Sequence, residues 1–67
     1  MRFGVSAYRR HPKAAPEYLV YDHGQDGCQI AVLNDETLAR ALVVLLGANA
    51  DEWDRVISEV DPDRDLF

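Results

Sequence analysis

Asp22, His23, Asp26 and Cys28 crowd one short stretch of the chain, and their side chains are the types that ligate transition metals or pair as a Cys-His nucleophile. The spacing follows no metal motif. A turn rich in Asp, His and Gly is explained by the turn itself, since Asp bonds its own backbone and Gly accepts positive φ. Cys28, at the head of an apolar run, is expected as a small buried residue. Asp61, Asp63 and Asp65 alternate like the opening of a calcium loop, but Leu66 stands where the turn glycine belongs and the sequence supplies no glutamate at the twelfth position. No catalytic, cofactor or metal residue is therefore expected, and the chain reads as non-enzymatic.

The remaining chemistry is electrostatic. Residues 1–47 carry five acids and five bases, whereas residues 48–67 carry seven acids against Arg55 and Arg64, so the formal charge of -5 lies in the last twenty positions. Such a one-sided field draws basic surfaces and repels phosphate. Asp51, Glu52, Asp54 and Glu59, continued by Asp61, Asp63 and Asp65, form the expected acidic face; its plainer reading is a solvated helix surface. The basic loop Arg9, Arg10, His11 and Lys13 has too few charges, and no interleaved aromatics, to be a nucleic-acid site. Direct nucleic-acid binding is not expected.

The elements that must carry these residues follow from periodicity. Phe3, Val5 and Ala7 alternate with Gly4, Ser6 and Tyr8, predicting a strand over 2–8. Pro12 and Pro16 break the pattern. Strands over 17–22 and 28–33 flank a turn with Gly24 and Gly27, which predicts a hairpin. Asn34 is the expected cap of a helix over 35–46, with Leu33 and Leu38 as a hydrophobic staple and Gly47 as the left-handed stop. Asn49 and Glu52 have the capping-box layout for a second helix over 50–60, in which Trp53, Val56, Ile57 and Val60 form one apolar stripe and Asp51 precedes Arg55 by four residues. Pro62 ends it, and a tail over 61–67 follows. The expected fold is α+β: one small domain, a three-stranded antiparallel sheet with both helices packed on one face.

The first helix is apolar over more than half its circumference, with Glu36, Thr37 and Arg40 alone on the polar side, so it needs cover on two sides. Either it lies between the sheet and the second helix, or Val43, Val44 or Leu46 is left for a partner, making a small homodimeric accessory protein joined through this helix. Tyr8, Tyr18 and Tyr21 are candidates for an open sheet face. A domain of 67 residues with a single cysteine has no internal disulfide to reinforce its core, which makes a partner more valuable to it. The longest apolar stretch, Leu38 to Leu46, is interrupted by Arg40 and too short for a bilayer. No leader pattern opens the chain, so the expectation is a cytoplasmic protein without a membrane partner, monomeric or homodimeric.

In length, charge and simple mixed architecture the chain resembles the small acidic inhibitors that phages direct against host nucleic-acid machinery, the anti-CRISPR proteins among them. The resemblance is one of class, spans the whole chain and rests on no motif. It implies an inhibitor that occludes a basic nucleic-acid-binding site on a larger complex, with DNA mimicry as its sharpest form. No functional residue carries over from it. From the residues themselves, the expected contact set is Asp51, Glu52, Asp54 and Glu59, with Asp61 and Asp63. A helix of eleven residues is ~16 Å long, and duplex DNA shows roughly ten phosphates over that length, so the acids suit a small basic pocket rather than a long groove.

Overall fold

A computed structural model describes residues 1–64 of the chain. The fold is α+β: β1 (Phe3–Tyr8), β2 (Glu17–Asp22) and β3 (Cys28–Leu33) precede α1 (Glu36–Ala48) and α2 (Ala50–Val60). β2 is the central strand of an antiparallel sheet ordered β1-β2-β3. The register sets Phe3 against Asp22, Val5 against Val20 and Ala7 against Tyr18, so these residues share one face. In the second ladder Val20 faces Ala31 while Tyr21 faces Gln29, leaving Ile30 as the extra residue of a bulge. Ile30 and Ala31 consequently both pack against the core.

The β2–β3 turn is built by Asp22, which accepts from the Gly24 amide at 2.9 Å and caps a single 3-10 turn over His23–Gln25. Asp26 and Gly27 then take the left-handed backbone, with φ of 63° and 72°. Positive φ was expected of Gly24 and Gly27; Asp26 takes the place of Gly24 because the 3-10 turn already reverses the chain there. Asp is among the few side chains that tolerate this region.

Both helix starts differ from expectation. Asp35, not Asn34, caps α1: its carboxylate accepts from the Leu38 amide at 3.0 Å. The extra residue between strand and cap removes the expected staple spacing. Helix α1 then continues through Gly47 to Ala48, and Gly47 keeps a helical φ because the Asn49 amide still donates to Leu45 and Leu46. Asn49 forms no side-chain cap; its Nδ2 donates back to the Leu45 carbonyl at 2.8 Å, while its own carbonyl accepts from the Trp53 amide. One residue therefore joins two helices, too tight a joint for an antiparallel hairpin.

The fully enclosed core is small: Phe3, Val20, Ala39 and Val43, with Val5, Tyr18, Leu42, Leu46 and Trp53 packed around it. Helix α1 packs on all three strands, whereas α2 packs little against α1. The expected cover of α1 on its second side by α2 is thus not found: Val43 is buried and Leu46 half-buried, but Leu38, Val44 and Leu45 are exposed. Tyr18 lies on the covered face of the sheet, and Tyr8 and Tyr21 on the open face. Among the described residues, no helix is long and apolar enough to cross a membrane.

Truncating Phe3 to Ala should cost ~3–5 kcal/mol, comparable with the entire ~3–5 kcal/mol expected of so small a domain. The variant should lose its far-ultraviolet circular dichroism transition at room temperature. Tyr8→Ala, on the open face, should shift stability by no more than about 0.5 kcal/mol.

Candidate functional site

The expected contact residues divide into three groups once the side chains are placed. Asp54 is drawn out of the acidic face. The Arg2 guanidinium reaches it with two parallel bonds, Nη1 to Oδ2 at 3.0 Å and Nη2 to Oδ1 at 2.6 Å. The same guanidinium bonds Asp22 through Nε to Oδ1 at 2.8 Å and Nη2 to Oδ2 at 3.1 Å. Asp22 is completely buried, and its remaining acceptor capacity is filled by the Trp53 indole at 2.9 Å and the Gly24 amide. Arg2 also lies over the Phe3 ring, 4.9 Å from its centroid. One cation thus bridges the end of β2 to the first turns of α2, with Trp53 closing the cluster.

A carboxylate has no place in a core unless its charge is met and its lone pairs are filled. Burial on its own pushes the Asp22 carboxyl up, but the hydrogen bonds from Arg2 and Trp53 outweigh it and hold the group below its ordinary value. The bonds to Asp54 and then Asp22 raise Arg2 well above the ordinary range. Both partners therefore remain charged across the physiological range.

Glu52 and Glu59 form the second group. Both are exposed, and both are bound by Arg55 from the same helix, one turn to either side. The bond to Arg55 lowers the Glu52 carboxyl and, from the other side, raises the guanidinium. The expected Asp51–Arg55 pairing is thus replaced, because Glu has the longer stem and flanks Arg55 on both sides. Asp51, Asp61 and Asp63 make the third group: exposed, with no side-chain partner among the described residues. Asp65 lies outside the described residues.

Among the described residues, the basic loop makes no ion pair with these acids. Arg9 donates to the Ala14 carbonyl at 3.0 Å within the loop, and Arg10 pairs with Glu17 at the start of β2 at 3.4 Å. The quenching comes instead from Arg2 and Arg55. Arg2 carried no pattern signal in the sequence; only the pairing of Phe3 with Asp22 brings it beside both aspartates. Arg64 turns back to the Gln25 side-chain oxygen at 3.0 Å, fixing the chain just after Asp63.

The Asp22, His23, Asp26 and Cys28 group is dispersed by the turn. Asp22 points inward to Arg2, the His23 ring stacks on Tyr21 with centroids 6.3 Å apart, and Cys28 donates weakly to the Gln29 carbonyl. Cys28 is exposed, not buried as expected, because the turn ends at Gly27 and leaves it at the rim of the sheet. Among the described residues, no group of three or more His, Cys, Asp or Glu side chains is placed to hold a metal ion.

Comparison with protein-family models, with curated proteins and with solved structures found no match.

The sign of the pH dependence follows from Asp22. Its carboxyl is lower in the fold than in the unfolded chain, so its contribution is complete at neutral pH and is lost as pH falls towards the folded value. Urea midpoints should be level from pH 7 to about 5 and fall as the pH drops through and below the ordinary aspartate range at about 4. Asp54→Asn, which leaves Arg2 with a weaker partner, should lower stability by about 1–2 kcal/mol at pH 7. A flat profile in acid, or an unchanged Asp54→Asn midpoint, contradicts this account of the cluster.

Proposed function

We propose that the chain is a non-enzymatic protein-binding inhibitor whose acidic C-terminal side docks on a basic nucleic-acid-binding surface of a larger protein and occludes it. The observation that supports this reading is the set Asp51, Asp61 and Asp63, exposed and without side-chain partners among the described residues, while Arg9 and Arg10 of the basic loop are bonded to Ala14 and Glu17. Glu52 and Glu59 stand beside them, sharing Arg55. A partner's arginines would compete with Arg55 for these two carboxylates at little desolvation cost, since every group involved is already solvated.

Asp54 leaves the proposed contact set. Its carboxylate is committed to Arg2, so its part is to hold α2 in place and present its neighbours. With the unpaired acids few, the field suits a compact cluster of lysines and arginines and not a long stretch of duplex.

The test uses the immobilised chain and a lysate of the source organism. Wild-type protein should capture a nucleic-acid-binding protein at low salt, release it at high salt, and compete with that protein's own DNA or RNA. A triple variant, Asp51→Asn, Asp61→Asn, Asp63→Asn, should fold normally and lose at least about tenfold in affinity. Capture that ignores both salt and the triple variant, or that leaves the nucleic acid bound, would sink the reading.

A further inference from the structure

The sheet covers only one side of α1. On the other side Leu38, Ala41, Val44, Leu45 and Ala48 form a continuous strip, in which Leu38, Val44 and Leu45 are 58%, 71% and 60% exposed. The strip carries no charge: Glu36 and Arg40 lie to one flank and bond each other at 2.9 Å. A helix apolar on two opposite sides leaves one of them in contact with water when the sheet covers only the other, and a partner that covers it is favoured. We propose that the second side of α1 is covered by another copy of this chain, in an antiparallel two-fold pair.

Three observations single out that occupant. The first is self-complementarity. Leu38, Ala41, Leu45 and Ala48 repeat at intervals of three, four and three, the spacing of a helix-pairing seam. A two-fold axis at the level of Val43 sets Leu38 against the partner's Ala48 and Ala41 against the partner's Leu45. Every leucine then meets an alanine, large against small, and the two backbones approach closely. A two-fold contact needs one patch that fits itself, and this strip does.

The second is area. The accessible surface is 4900 Å² for a chain of 7.6 kDa, whereas a compact monomer of that mass exposes about 4300 Å². The excess of roughly 600 Å² is spread over a molecule 42 Å long and 21 and 19 Å wide, and pairing through α1 would remove part of it from water. The third is charge. A partner attracted by the acids of the chain finds none of them on this strip, so the neutral seam suits a neutral surface. Antiparallel pairing also sends the two acidic α2 helices to opposite ends of α1. A helix of thirteen residues keeps those ends ~20 Å apart, well beyond the ~8 Å screening length at physiological salt. The pair stands independently of the acidic-side reading, since it uses none of the acids.

Sedimentation velocity of the purified chain over roughly a hundredfold range of concentration tests it. The wild type should shift from monomer to dimer. Leu45→Asp should keep its circular dichroism and raise the dissociation constant by more than ~100-fold, while Val32→Asp, on the open sheet face, should leave it unchanged. Ala48→Leu should weaken the pair by about tenfold, because two leucines then collide across the seam, and adding Leu38→Ala should restore it. A strict monomer at every concentration overturns the proposal, as does a trimer or larger assembly. Loss of association in Val32→Asp with retention in Leu45→Asp places the contact on the sheet and overturns it too. Tightening by Ala48→Leu rejects the antiparallel arrangement, since that result belongs to a parallel pair.

Discussion

The charge of Arg2 is the constraint around which the molecule is arranged. Among the described residues it is the one cation within bonding distance of a fully buried carboxylate, and it joins two elements that otherwise share little packing. Without it Asp22 has no charge to meet its own, and a buried unpaired carboxylate costs more than the few core side chains can supply. The cluster fixes the angle of α2, because Trp53 and Asp54 are neighbours on that helix and both reach it. The fold thus depends on a satisfied polar knot at one end of the sheet as well as on its small apolar core.

That arrangement explains how the fold was legible while the site was not. Strand alternation from Phe3 to Tyr8, the turn chemistry before Cys28 and the apolar spacing of Trp53, Val56 and Ile57 are local signals, and they specified the element order and the sheet. Helix ends were read less well. Asn34 and Asn49 are good caps by type, but Asp35 captured the first helix and Asn49 spent its amide on Leu45. Capping residues compete over a single position, and tertiary packing decides between them.

The acidic side shows the opposite failure. Charge counting picked out α2 but treated its acids as equals. Asp54 differs from Asp51 only in facing the sheet, a difference of about 60° on the helical wheel, and that rotation brings it to Arg2. Glu52 and Glu59 differ from Asp51 through Arg55, which sits between them. Formal charge overstates a field when bases lie one turn away or across a strand pairing. The open side of α1 was half legible: the sequence showed too much apolar circumference, and the single-residue joint at Asn49 decided that α2 does not cover it.

The span of the Arg2–Asp54 bond carries one more consequence. Its partners stand fifty-two positions apart along the chain. During synthesis Arg2 emerges fifty-two residues ahead of its counterpart. The two hairpins can assemble early from nearby pieces, but the knot cannot tie until α2 has left the ribosome. Until that moment Asp22 lacks the Trp53 indole that covers it in the finished fold.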